Sequence, residues 1–371
     1  MNDVKIVFGS DFHIGNSKIS AIESHLNISD WFYPEVIKSN IVFLGGDFFH
    51  RLLKLDEVAA LESISIAQEL ISFAEQHNLK IRILRGTFSH DRQQNEIFLS
   101  VLSKSKKNVD LNCVDTISLE LIKEYDLRVL YLPDNLPYKN KEQVMEVIHS
   151  LLKTYGWKKV DIVVGHGYFE HVFPVNVPHP PIVFEYDDFK DIVSGYILMG
   201  HVHTTSVYKN IIYAGSFERF AHNEEEQKGF YTVERNRDNW SYQFVENKDT
   251  PYFFTIDLKD EDIDICMNQI DIFVREKFGE KDGFFRLAHP NTETKQILLQ
   301  MVHDKYPSLI STAKSTKDTI EKRQFIKEFQ TCQYVLPTKE NLADLTIDFI
   351  KTVKGNTTLT KEIVNKLLLL D

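Results

Sequence analysis

Short apolar runs alternate with helical patterns over the first two-thirds of the chain. Runs at 5–10, 41–45, 81–84, 128–132, 161–165, 196–200, 211–214 and 230–234 are rich in β-branched or aromatic residues. Most are bounded by Gly, Asp or Asn, and each predicts a strand. Between the second and third runs, Leu61, Ile64, Ala67, Ile71 and Ala74 recur at helical spacing. They predict a helix over 56–77 with Asp56 as its N-cap. This alternation is the pattern of a layered α/β fold.

The pattern changes near Thr250-Pro251. One more strand is predicted over 252–257, then helices over 260–278, 292–306 and 316–330. Pro337 interrupts the pattern, and the tail 338–371 reads as two short helices around Gly355-Asn356, closing on Leu367-Leu368-Leu369-Leu370. The expected organisation is a main domain over 1–247, a small α/β domain over 250–336 and a helical tail over 337–371. The sequence contains no internal repeat and no low-complexity segment.

Composition narrows the class. The 371 residues are 43% hydrophobic and 26% charged, which excludes a globally disordered chain. No apolar run approaches the ~20 residues that span a bilayer. The net charge of −11, from 43 basic against 54 acidic residues, argues against retention on nucleic acid by bulk charge. It leaves room for a local basic groove, or for cations that offset acidic ligands. Cys113, Cys266 and Cys332 lie far apart, which fits neither a disulfide framework nor a cysteine zinc site. With the strand-like run Val4-Lys5-Ile6-Val7-Phe8 at the start, the expectation is a cytoplasmic protein without a signal peptide.

The candidate chemistry sits at strand ends. The first strand runs into Asp11-Phe12-His13 and the second into Gly45-Gly46-Asp47-Phe48-Phe49-His50. The third runs into Gly86-Thr87-Phe88-Ser89-His90-Asp91, and later strands end in Gly165-His166-Gly167 and Gly200-His201-Val202-His203. Carboxylate oxygen and imidazole nitrogen are ligands for hard or borderline divalent cations. Residues at successive strand ends converge at one edge of a sheet. In Asp11-x-His13 and His201-x-His203, the i and i+2 side chains share a face if the backbone is extended. The expected arrangement places Asp11, His13 and His203 on one metal, His166 and His201 on a second, and Asp47 between them. Two cations about 3.5–4 Å apart clamp a phosphate and activate a water. Each piece alone is common, since Gly-Asp is often a turn and a lone histidine often a core residue. Five in one chain, each after a strand, favour the metal reading.

In their order, these motifs resemble the calcineurin-like metallophosphoesterase superfamily. The histidine closing Gly45-Gly46-Asp47-Phe48-Phe49-His50 is similar to the SbcD family of nucleases, the nuclease subunits of Mre–Rad type complexes. So is Gly215-Ser216-Phe217-Glu218-Arg219, followed by Glu224 and Lys228-Gly229-Phe230. The resemblance covers roughly 5–245. It implies a four-layered α-β-β-α metallophosphoesterase sandwich, with a small α/β cap domain and a helical C-terminal tail. It implies DNA ends or hairpins as substrate, hydrolysed in line with no covalent enzyme intermediate, and two divalent ions, manganese being expected. The implied partners are a coiled-coil ATPase subunit like SbcC and a second copy of the chain, packed through helices after the second motif. His90 and His50 are then catalytic, stabilising charge on the phosphate or protonating the leaving oxygen, and Asp91 orients His90.

The third motif departs from the family's Gly-Asn-His-Asp/Glu by two extra residues and the absence of Asn. The missing amide ligand can be replaced by the hydroxyl of Ser89 or Thr87, a backbone carbonyl or water, with Ser89 taken as the ligand. The second metal is expected to bind more weakly. His171, His179, His222, the aromatics Phe88, Tyr168 and Phe169, and the lysines near 104–107 and 314–327 have ordinary readings as packing or surface residues. Two rival functions remain: a phosphoesterase acting on small nucleotides or phosphoproteins, and a non-catalytic scaffold.

Overall fold

The apolar runs of the first two-thirds become the strands of two six-stranded sheets. The computed structural model describes residues 3–134, 136–173, 180–260, 262–279, 281–314 and Ile347. The chain divides into two compact units, Met1–Lys314 and Ser315–Asp371. The helix expected over 316–330, the tail over 338–371 and His179 lie outside the described residues.

In the first sheet, β1 (Val4–Gly9), β2 (Ile41–Leu44), β3 (Lys80–Leu84) and β4 (Asp110–Val114) run parallel. The second sheet is built from β5 (Ser118–Ile122), β6 (Leu127–Leu132) and β7 (Ile162–His166). After a two-stranded pair, β8 (Tyr168–Phe169) and β9 (Val183–Phe184), it continues with β10 (Ile197–Gly200), β11 (Ser206–Tyr208) and β12 (Ile211–Tyr213). Then β13 (Gly229–Asn236) and β14 (Asn239–Glu246) return to the first sheet, β13 lying antiparallel to β1. The orders are β14-β13-β1-β2-β3-β4 and β11-β12-β10-β7-β6-β5.

Burial explains the continuous apolar runs. One core mixes Ile6, Phe8, Ile41 and Phe43 of the first sheet with Val129, Tyr131, Val164 and Leu198 of the second. The opposite face of the first sheet, with Val7, Val42 and Ile81, packs on helices that include α1 (Ala21–Asn27), α2 (Tyr33–Val36), α3 (Val58–His77) and α4 (Glu96–Ser105). Leu130, Val163 and Met199 of the second sheet pack on α5 (Lys141–Tyr155) and α6 (Tyr186–Phe189). Strands covered on both faces need no polar alternation. The fold is mixed α/β.

Residues 252–313 make a third sheet with its own core. Its strands β15 (Tyr252–Asp257), β16 (Gly283–Ala288) and β17 (Leu309–Ala313) are parallel, linked through α7 (Ile263–Lys277) and α8 (Thr292–Lys305). Ile270, Phe285, Leu287, Leu298 and Val302 fill its interior.

The differences from expectation have local causes. The long helix begins at Val58 with Glu57 as its N-cap residue, so Asp56 is not the cap. Arg51 draws Glu57 into a 2.6 Å ion pair, and Glu57 accepts from the Lys54 amide. The sequence reading also lacks β4, β5, β11 and β14, the outer strands of the two large sheets, and β8, β9, β16 and β17 of the smaller sheets. Half-exposed strands such as Asp110-Leu111-Asn112-Cys113-Val114 carry polar residues that hide the pattern. Among the described residues, no helix is long and apolar enough to cross a membrane.

Candidate metal centre

The carboxyl ends of β1, β2, β3, β7 and β10 deliver the candidate residues to one place. The loop after β1 runs beside the loop after β2. The amides of Asp11, His13 and Ile14 donate to the carbonyls of Gly46, Asp47 and Phe48 at 3.0, 3.1 and 2.9 Å. Asp11, His13, Asp47 and His201 all have positive φ, at 54°, 49°, 51° and 87°. Asp11 and His13 are therefore not extended; a left-handed backbone, not strand alternation, aims them. Such residues are held at a cost of order 1–3 kcal/mol each, and they cluster where function requires them. Close approach also excludes side chains: a Cβ at Gly200 would run into Ser10 Oγ, and one at Gly86 into Asp47.

Three groups of side chains lie close enough to hold cations: Asp11/His13/His203, Asp47/His166/His201 and His13/His50/His90. In the first, Asp11 Oδ2 accepts from Ser10 Oγ (2.6 Å) and from the His201 amide (2.9 Å). Asp11 Oδ1 is buried without a hydrogen-bond partner and lies 3.9 Å from His13 Nε2. A carboxylate oxygen orphaned among imidazoles fits a cation ligand. His203 donates Nδ1–H to Glu224 Oε1 (2.9 Å), which leaves its Nε2 free toward His13. In the second group, His166 donates Nδ1–H to the Gly45 carbonyl at 2.8 Å, and its Nε2 lies 3.3 Å from Asp47 Oδ2. These outer partners set the tautomer in the way that metal-bound histidines require.

The charges are strongly coupled. Burial pushes the Asp47 carboxyl up, but His166, with His13 and His90, outweighs it and holds Asp47 well below the usual carboxylate range. Burial pulls His166 down, and Asp47 more than reverses this. Burial, then the neighbouring His203, hold His13 well below its ordinary value. His203 is depressed by burial yet raised overall by Glu224.

Asp91 does not orient His90. Its carboxylate is buried and accepts from the amides of Asp47 (2.9 Å), Phe49 (3.1 Å) and Gly86 (2.8 Å), and from Asn95 Nδ2 (3.2 Å). It therefore shapes the second and third loops. Burial and then Asp47 push its carboxyl up to about 6. His90 is held instead through Nδ1 by the His50 carbonyl. Ser89, taken as the ligand, is exposed. Thr87 occupies the place expected of it. The Thr87 amide donates to Asp47 Oδ1 (2.6 Å), and its hydroxyl lies 3.1 Å from Asp47 Oδ2 and 3.4 Å from His201 Nδ1. Its position directly after Gly86, where the family that the motifs resemble carries Asn, was the available signal.

Sequence reasoning missed Glu224 as the orienter of His203, although it noted the residue. It also treated Tyr168 as ordinary packing, whereas its ring stands edge-on to His201 with centroids 4.3 Å apart. His171 stacks on Tyr208 and His222 donates to the Phe254 carbonyl, so neither joins the centre.

No family model and no curated relative matches the sequence. Two solved structures each align with 66% of this chain and the whole of their own. One is 12% identical with a TM-score of 0.33; the other, TT1561 of Thermus thermophilus, is 8% identical with a TM-score of 0.36. At those scores neither likeness carries an argument. The molecule is defined by its mixed α/β fold and by His/Asp groups that can hold cations.

Proposed function

We propose that this protein is a metal-dependent phosphodiesterase with the four-layered sandwich of the calcineurin-like metallophosphoesterases, and that it cleaves DNA. The observation that carries the reading is the pair of mixed His/Asp groups, with two further imidazoles, His50 and His90, beside His13. Two sheets sharing one core, each with helices packed on its other face, support the sandwich. Two divalent cations, manganese being expected, would be held by Asp11, His13 and His203, and by Asp47, His166 and His201. They would supply charge neutralisation and activation of water.

The chain's own residues do the rest. Asp91 and the Gly46 and Asp47 carbonyls lock the loops that aim the ligands. His90, anchored at Nδ1, keeps its other nitrogen for a phosphate or leaving oxygen. His50, half-buried, can donate to the same substrate. DNA as substrate rests on the motifs Gly45 to His50 and Gly215 to Arg219. In the structure the latter ties the molecule together: Glu218 accepts from Ser24 and Asn27 at 2.6 Å, and the Arg219 amide donates to Thr250. A homodimer is supported by exposed Leu52, Leu55, Val58 and Leu61, Leu55 being 86% exposed. An SbcC-like ATPase partner remains an expectation of the resemblance.

The test is a manganese-dependent cleavage assay on duplex ends and hairpins, beside cyclic nucleotides and a generic phosphodiester, with manganese binding followed calorimetrically. DNA cleavage and two sites of unequal affinity are expected, the weaker at Asp47/His166/His201, where a threonine hydroxyl replaces an amide. Cleavage of the small substrates alone would replace DNA with the small-nucleotide reading. No turnover on any substrate, with metal bound, would favour the scaffold.

A further inference from the structure

His13 belongs to two of the three groups, and its two ring nitrogens face different partners. Nε2 lies 3.0 Å from His203 Nε2, and Nδ1 lies 3.4 Å from His50 Nδ1. His203 turns Nδ1 to Glu224 and Nε2 to His13, so one hydrogen is shared between the two facing Nε2 atoms. A cation taken up through His13 Nδ1 leaves the hydrogen on His13 Nε2, toward His203. His50 Nδ1 faces the Asn16 side-chain nitrogen at 3.5 Å as well as His13 Nδ1. His90 spends its Nδ1–H on the His50 carbonyl, which leaves Nε2 bare. One ring nitrogen of each of His13, His50 and His90 lies within 4.8 Å of the others.

We propose that His13, His50 and His90 form a third cation position, suited to zinc, that competes with the Asp11/His203 group for His13. A zinc–nitrogen bond of about 2.0–2.1 Å at the tetrahedral angle sets its nitrogens about 3.3–3.4 Å apart, the separation of His13 Nδ1 and His50 Nδ1. Three neutral nitrogens without a carboxylate suit zinc, whereas the two aspartate-containing groups suit manganese as well. A neutral imidazole offers one lone pair. His13 therefore serves Asp11 and His203 through Nε2, or His50 and His90 through Nδ1, and the two positions exclude each other. Zinc held by the histidines displaces the first catalytic ion and ties up His50 and His90. That inhibitory consequence rests on the nuclease reading; the binding does not.

Cobalt titrated into the metal-free full chain tests the site, because four-coordinate cobalt absorbs visible light far more strongly than six-coordinate cobalt. The strong band is expected in the unchanged chain and stronger in His203→Ala, where His13 is released. It should be lost in His50→Ala and, separately, in His90→Ala, bleached by one equivalent of zinc, and suppressed by excess manganese. Absence of the band in both the unchanged chain and His203→Ala overturns the site. So does its persistence at full strength in either His50→Ala or His90→Ala. A band indifferent to manganese overturns the competition. Failure of the nuclease reading would show separately, as no DNA cleavage with manganese while the cobalt band behaves as described.

Discussion

Residues 252–313 start both of their helices with a side-chain cap: Asp262 accepts from the amides of Asp264 and Ile265, and Asn291 from those of Glu293 and Thr294. Strand β16 alternates buried and half-buried residues without a break. The loops after β1, β2 and β10 do the opposite. They hold aspartates and histidines in left-handed backbone, bury charge, and leave Asp11 Oδ1 without a partner. Local and global preferences agree in the small sheet and conflict in the centre. Conflict of that kind persists where function requires it and the surrounding fold over-determines it. The contrast separates residues that hold the molecule together from residues that give it chemistry, and substitutions in the two regions should divide accordingly.

The largest effect is expected from Asp47→Ala. Turnover on DNA should fall below detection and metal should be lost from the Asp47/His166/His201 group. A variant that binds two manganese ions and cleaves normally would break the contrast. His90→Ala should retain both manganese ions and lose ~10²–10⁴-fold in turnover; activity within a few-fold of the unchanged protein removes His90 from the chemistry. Leu287→Ala, fully buried on β16 in the core shared with α7 and α8, should cost about 2–5 kcal/mol in denaturant unfolding and leave manganese affinity unchanged. Loss of metal in that variant would show that the two regions are not independent.

A smaller effect sharpens the comparison through pH. Burial pushes the Glu218 carboxyl up to about 7, against the hydrogen bonds from Ser24 and Asn27. The folded state therefore holds this proton more tightly than the unfolded chain. Its contribution is complete below the ordinary value of 4.5 and is lost as pH rises through about 7, a decline of about 3 kcal/mol. Chemical unfolding at pH 5 and pH 8 should show it, and Glu218→Gln should flatten that slope. Equal slopes in the two proteins would mean that Glu218 stays ionised.

Which residues read clearly in the sequence depended on how local their signal was. The central strands were legible because double-sided burial makes them continuously apolar; the outer strands β4 and β14 were not, because one polar face erases the run. The aspartates and histidines of the three cation groups converge as their strand-end positions suggested. Asp91 was given the wrong task because its neighbour in sequence is His90, whereas its neighbours in space are the amides of Asp47, Phe49 and Gly86. Ser89 was preferred to Thr87 because a two-residue insertion offers either hydroxyl, and only the turn decides which one faces Asp47.

The sequence by itself determined the α/β alternation, the strand ends that carry ligands, and the helices of residues 252–313. Each is written in periodicity or in residue type within a few positions. Only the tertiary structure decided that Asp11 and His13 are left-handed, that Glu224 orients His203, and that His13 stands between His203 and His50. Those facts join residues up to 190 positions apart. They arise where two packed sheets bring loop ends within a hydrogen bond of one another, a distance no local pattern encodes.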